Sequence, residues 1–336
     1  MYMEIATTES GYITLFQQTE EIVERFLKSS SKLRQNSRDL YRRTLKQFFL
    51  WAESRGLSLD TLTIVELIEY REYLLSPERG LTSLTVGSYI TSLKKFYEFL
   101  ESERRYPNIA KSLQNPKRKQ QFRKSPLSNE QAKELLEYFS NRIVKNLQKE
   151  LENLGIETPT ATSRDYAIIN LILKTGLRTI EVIRANVGDI VIKPGGQRVL
   201  LIHGKGRDEK DDFVILTEKT YKPISEYLET RGAYSISDPL FNSTSNNSKG
   251  GRLTTRTISH IAKEGLRAIG LDSKNFTAHS LRHTAGTSLL RATGDLEKTR
   301  LMLRHSDPKT TLIYVDTIEE ERRLKDSGEA ILDTLY

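Results

Sequence analysis

From the N-terminus to Leu100, apolar side chains recur every three or four positions, the period of helices that bury one face. Residues 15–28 place Leu15, Ile22, Val23, Phe26 and Leu27 on such a face. A second helix carries Leu40, Tyr41, Leu45, Phe48 and Trp51, with Ser37 as its expected N-cap. Thr63 and Glu66 have the spacing of a capping box and open a third helix. Tyr89, Ile90, Leu93, Phe96, Tyr97 and Leu100 mark a fourth. Aromatic stripes at this spacing are read as core, not as platforms for stacking bases. The polar positions between them, Ser83, Thr85, Ser88, Lys94 and Lys95, read either as a solvated face or as a surface for an anionic backbone.

The periodicity stops between residues 106 and 126. Prolines stand at both ends of a basic run, QNPKRKQQFRKSP, which is expected to be an interdomain linker. Its Lys117, Arg118, Lys119, Arg123 and Lys124 are candidate phosphate contacts. Ser128 with Gln131 should cap the first helix of a second domain. Residues 129–150 read as helix, 155–163 as loop, and 164–174 as an apolar helix ending at Gly176. Short β-rich runs at 189–192, 199–203 and 213–216 are separated by glycine-bearing turns, and helices resume near Thr220. Residues 242–251 read as a surface loop, and the chain is mostly helical from Thr255 onward. The expected architecture is mostly α with a small antiparallel β-sheet, in two domains.

Composition narrows the picture. The 336 residues include no cysteine, which removes disulfides and thiolate metal ligands and makes a reducing cytoplasm the expected location. No run suggests a membrane helix or a secretory signal, so no membrane partner is expected. The net charge of +8 is compatible with a nucleic-acid partner, because basic side chains release counterions from phosphates.

Four short segments carry candidate chemistry. In TGLRTIE, Arg178 follows a Gly-Leu turn at a helix start, where it can either meet an anion or pair with Glu181. In HGKGR, glycines flank Lys205 at a hairpin tip. In AHSLRHT, His279 and Arg282 share a helical face, and His279 and His283 have the four-residue spacing of a zinc helix. Ser280 stands where a metalloprotease needs glutamate, so no metal is expected. In LRHSDPKTTLIY, His305 precedes Tyr314. Each segment alone also reads as ordinary structure. Together they supply cations to clamp a phosphodiester, histidines and a lysine to move protons, and a tyrosine to hold the phosphoryl group covalently. No cofactor is expected.

Arg178, Lys205, His279-x-x-Arg282, His305 and Tyr314 occur in the order of the tyrosine recombinases, and the chain resembles phage and conjugative-element integrases and the Xer proteins. The resemblance implies a core-binding domain at 13–105 after a short tail (1–12), the linker at 106–126, a catalytic domain at 127–320 and a tail at 321–336. It implies two domains clamping duplex DNA, and Tyr314 forming a 3′-phosphotyrosine. Arg178 and Arg282 would bind the phosphate, Lys205 would protonate the leaving 5′-hydroxyl, His279 would assist as base, and His305 would hydrogen-bond the phosphate. Glu181 matches an acidic position that supports the site. A protein monomeric when free would act as a tetramer on specific core sites, exchanging strands through a Holliday junction with or without accessory proteins. This would serve integration or excision of a mobile element, or Xer-type resolution, in a prokaryotic nucleoid. The residues leave room for a type IB topoisomerase-like enzyme or an inactive DNA-binding relative. Relatives ordinarily have glycine where Arg304 stands, so a shifted turn or an added phosphate contact is expected there. Residues 146–162 read as an insertion. The absence of an arm-binding module before Leu15 points to simple core sites, and the apolar tail residues Ile331, Leu332 and Leu335 suggest a helix that docks on its own domain or on the next protomer.

Overall fold

The computed structural model describes residues 9–29, 34–117, 124–151, 159–203, 210–245, 248–325 and 327–335. The chain divides into two compact units, Met1–Gln121 and Phe122–Tyr336.

The first unit is helical: α1 (Glu9–Ser29), α2 (Gln35–Glu53), α3 (Ile64–Leu75) and α4 (Ser83–Ser102). Its core is the set of aromatic and aliphatic stripes expected from the period. Phe26, Leu45, Phe48, Leu67, Tyr70, Ile90, Leu93 and Phe96 are buried. Edge-on ring pairs knit the helices: Phe26 with Phe96 at 5.6 Å and Phe48 with Tyr70 at 5.0 Å between centroids. The capping box of α3 forms, with the Thr63 hydroxyl accepting the Val65 N–H and the Glu66 carboxylate accepting the Thr63 N–H.

Local signals misplaced three boundaries here. α1 is already helical at Glu9, inside the stretch expected to be a tail. α2 begins at Gln35 behind an extended Arg34 that makes no side-chain cap, so Ser37 lies inside the first turn instead of at the cap. Ala110 and Leu113 are buried in this core, with Tyr106 and Ile109 packed against it, so the front of the expected linker belongs to the first unit's packing. A short irregular segment has no period to reveal its apolar side.

The second unit contains α5 (Asn129–Leu151), α6 (Pro159–Thr175), α7 (Thr179–Arg184), β1 (Ile190–Ile192), β2 (Arg198–Ile202), β3 (Asp212–Ile215), α8 (Glu218–Arg231), α9 (Thr255–Ala268), α10 (Ala278–Thr293), α11 (Leu296–Leu303), α12 (Leu312–Lys325) and α13 (Gly328–Leu332). Ser128 and Gln131 cap α5 reciprocally, at 2.9 and 3.1 Å. α6 starts at Pro159, so the end of the loop expected at 155–163 is helix. Proline is well suited to a first turn, whose N–H groups have no helical partner. The strands form an antiparallel meander, β1-β2-β3, with Ile190 opposite Leu200 and Leu201 opposite Phe213. Ile192, Phe213 and Ile215 are exposed, leaving this small sheet partly open to solvent.

α6 lies at the centre, packed on α5, α8 and α10. α10 in turn contacts α9, α11 and α12. This places the start of α7, the first turns of α10, the end of α11 and the first turn of α12 around one another. No helix among the described residues is long and apolar enough to cross a membrane.

Candidate active site

The left-handed turn at Gly176 (φ 63°) ends α6 and turns the chain into α7, with Arg178 as the N-cap residue of α7. The Arg178 guanidinium donates to Glu181 Oε1 at 2.7 Å, and its backbone N–H donates to Oε2 at 2.8 Å. Both readings of Arg178 are therefore compatible: it pairs with Glu181 and still leaves a quarter of its side chain accessible, at 26%.

Arg282, on the second turn of α10, is only 2% exposed. It donates to the carbonyl of Gly176 and, at 2.6 Å, to that of Leu303. Those bonds tie the ends of α6 and α11 to α10 and leave further N–H groups of the guanidinium for a ligand. Burial, then the charge of Arg178, lowers its pKa to about 10, so it stays cationic at neutral pH.

Glu181 is buried with more cations than it can balance. Burial raises its carboxyl, but the charges of Arg304 and Arg178 and the Arg178 N–H outweigh that and hold it below its ordinary range.

His305 follows α11 and accepts or donates a 3.0 Å hydrogen bond between Nδ1 and the buried Thr311 hydroxyl. Burial, followed by the charges of Arg282, Arg178, Arg304 and His279, pushes its pKa down to about 4. His279, in the first turn of α10, is solvent-exposed. Partial desolvation and then Arg282, Arg178 and Lys124 lower its pKa as well. Both rings are therefore neutral at neutral pH, able to accept a proton or to donate one N–H.

Tyr314 lies in the first turn of α12, 3% exposed. Its ring stacks over His305 at 6.1 Å with planes 12° apart, and meets the His283 ring at 4.9 Å. Burial raises its hydroxyl pKa, and Arg282 and Arg178 act in the opposite direction. The ring can sit this close to α10 because residue 286 is glycine. A Cβ there would stand 2.8 Å from the Tyr314 ring and from Leu303.

Five of the six expected catalytic residues (Arg178, Arg282, His279, His305 and Tyr314) thus act on one electrostatic neighbourhood. The sixth, Lys205, lies outside the described residues; beyond that gap, Lys210 pairs with buried Asp189. His283 belongs to the wall behind Tyr314, its Nδ1 3.2 Å from Thr287 Oγ1. Among the described residues no cluster of three or more His, Cys, Asp or Glu could hold a metal ion.

The expected phosphate contacts fare differently. Lys117 is exposed and Lys94 half-buried. Lys95 is exposed but engaged by Glu98 at 2.6 Å. Lys124 donates to the Lys274 carbonyl at 2.6 Å and adds its charge near His279. Arg118, Lys119 and Arg123 lie outside the described residues.

Two contributors escaped the sequence reading, and a third, Arg304, was singled out there without its inward contacts. Gly286 makes room for the Tyr314 ring, Thr311 bonds His305 Nδ1, and Arg304 turns inward. Its guanidinium donates to Glu181 Oε2 at 3.0 Å and to the Met302 carbonyl at 2.6 Å, so the side chain faces into the protein.

Residues 140–321 match the phage integrase family and residues 23–104 the phage integrase N-terminal SAM-like domain. The chain is 29% identical over 297 residues to the tyrosine recombinase XerC of Leptospira interrogans, covering 88% of each. It is 26% identical over 313 residues to the tyrosine recombinase XerD of Proteus mirabilis, covering 90% of each. Its fold is that of the XerH site-specific recombinase bound to a palindromic difH substrate in a post-cleavage complex (TM-score 0.71, 21% identity, 94% of this chain and 87% of that one). The Tn1549 transposon integrase in complex with circular intermediate DNA is also similar (TM-score 0.64, 18% identity, 88% and 94%). With the match spanning more than half its length, the chain belongs to the phage integrase family, enzymes of site-specific tyrosine recombination.

Proposed function

We propose that Tyr314 cleaves and rejoins DNA strands at specific core sites. The observation that carries this reading is buried Tyr314 stacked on His305 in the field of Arg178 and Arg282, with neutral His279 in the field of the same two arginines. The Tyr314 oxygen attacks the scissile phosphorus as the bond to the 5′-oxygen breaks. A 3′-phosphotyrosine and a free 5′-hydroxyl result, and attack by the partner strand's 5′-hydroxyl reverses the step. The tyrosyl proton needs an acceptor, because burial keeps the hydroxyl protonated at neutral pH. His279, exposed and neutral, is the candidate base.

Arg178 and Arg282 bind the non-bridging oxygens and stabilise the charge that builds on the phosphorane. With Thr311 donating to Nδ1, His305 keeps its proton on Nε2 and donates it to a phosphate oxygen. Lys205 is the candidate acid for the leaving 5′-oxygen. The basic residues Lys94, Lys95, Lys117, Arg118, Lys119, Arg123 and Lys124 are candidate backbone contacts, which position DNA without reading its sequence.

Strand exchange between two duplexes calls for four protomers. The tail supports assembly in trans: Ile331 and Leu332 on α13 and Leu335 just beyond it are 61%, 49% and 66% exposed, so these apolar side chains are not spent on their own unit. Resolution of replicons and movement of an element both fit this chemistry.

The test is covalent trapping. Protein is mixed, in excess chelator, with nicked suicide DNA carrying candidate sites from the gene's neighbourhood, then run on a denaturing gel. The wild type should form an adduct and Tyr314→Phe none. An adduct that survives in Tyr314→Phe moves the nucleophile elsewhere and ends this assignment.

A further inference from the structure

Arg304 closes α11 with φ 55° and ψ 48°, left-handed backbone in which glycine is at ease and side chains are not. The chain nevertheless keeps a long cation there and folds it inward, with 7% of the side chain accessible. Its Nη2 lies 3.0 Å from Glu181 Oε2. The same carboxylate receives Arg178 on both oxygens, and Arg282 Nη1 stands 4.0 Å away. Three guanidiniums therefore surround one buried carboxylate, a surplus of two positive charges. Without Arg304 the surplus is one, and Glu181 Oε2, left with the Arg178 backbone N–H, can draw on Arg282.

We propose that Arg304 is a positioning residue that acts through Glu181. It satisfies the buried carboxylate, so that Arg178 and Arg282 keep their charge and spare N–H groups for the phosphodiester. The inference rests on the phosphoryl-transfer reading of the site. A phosphodiester brings one negative charge and the pentavalent phosphorane brings a second. The second cation of the surplus therefore matters most at the transition state, in surroundings too dry to screen it. Arg304 itself is too enclosed to reach the substrate. Its partners on the other side are the Met302 carbonyl and Glu181, both protein groups.

Four variants separate this role from simple capping: Arg304→Met, Arg304→Lys, Glu181→Gln and the Arg304→Met/Glu181→Gln double. On DNA that the wild type cleaves, Arg304→Met should slow adduct formation about tenfold or more while DNA affinity holds. Arg304→Lys should recover most of the rate. In the Glu181→Gln background the same Met substitution should cost far less. Independently of any DNA, NMR titration of the His305 ring in the free protein should show its pKa rise in Arg304→Met and stay low in Arg304→Lys. An Arg304→Met protein that cleaves at the wild-type rate overturns the proposal, and so does a loss equal in size with and without Glu181. If the wild type forms no adduct on any DNA, the phosphotyrosine reading fails instead. The His305 titration then decides alone: an unmoved His305 pKa ends the Arg304 inference.

Discussion

In Met1–Gln121 the buried hydroxyl side chains Thr44 and Ser92 bond each other at 2.7 Å, and no charged residue of that unit's described part is fully buried. Phe122–Tyr336 buries the charged residues Arg164, Asp165, Glu181, Asp189 and Arg282. Removing a charge from water costs several kcal/mol unless partners compensate. The first unit avoids that cost; the second accepts it repeatedly, but not in one way. Arg164 and Asp165 balance each other at 2.7 Å, with the Asn242 carbonyl and Thr244 hydroxyl taking further donors. Glu181 is outnumbered by cations. Burial with balance is a structural ion pair; burial with a surplus leaves net positive charge around Glu181.

The contrast can be attacked at several strengths. Phe96→Ala in the aromatic core should cost about 3–5 kcal/mol of stability in urea denaturation, as a large buried ring is lost. Gly286→Ala should cost about 1–3 kcal/mol, because the new Cβ overpacks against Tyr314 and Leu303. Its adduct yield should fall further than that of a core variant equally destabilised; equal losses would show that the Tyr314 ring does not depend on Gly286. Thr44→Ala should cost about 1 kcal/mol and leave cleavage chemistry alone.

The last effect is read across pH. His305, with a pKa of about 4 in the folded chain against an ordinary 6.5, binds its proton more readily when unfolded. Its contribution is present above pH 6.5 and lost as pH falls toward about 4, and His279 is shifted in the same direction. His305→Gln should flatten the rise of the urea midpoint across that window. The first unit contains no histidine, so a slope there from imidazole titration would contradict the comparison.

Much of this was legible in the chain itself because it is periodic or local. The stripes on α2 and α4, the Thr63–Glu66 box and the Ser128–Gln131 cap are all short-range patterns that the fold retains. The three strands lie within one residue of their expected bounds. Arg178 and Glu181 are three apart, so their pairing could be weighed beforehand. What escaped depends on residues far apart in sequence. Arg304 meets Glu181 across 123 positions. Nothing near Gly286 announces that Tyr314 will lie against it. Ala110 and Leu113 are isolated apolar residues beside a basic run, and only the first unit's core reveals their side. Ser37 has the chemistry of a cap, but the helix begins earlier.

The enclosure of Tyr314 has a practical consequence for labelling. Of the chain's 15 tyrosines, Tyr234 is 46% and Tyr73 37% exposed, against 3% for Tyr314. Nitration or iodination consumes the phenolate of an accessible ring, and Tyr314 is both hidden and held in its protonated form. Such reagents will mark the exposed rings of Tyr234 and Tyr73 first and spare Tyr314 in the free protein. Its eventual modification, read by peptide mass, becomes a clock for how often the wall formed by α10 and His305 opens.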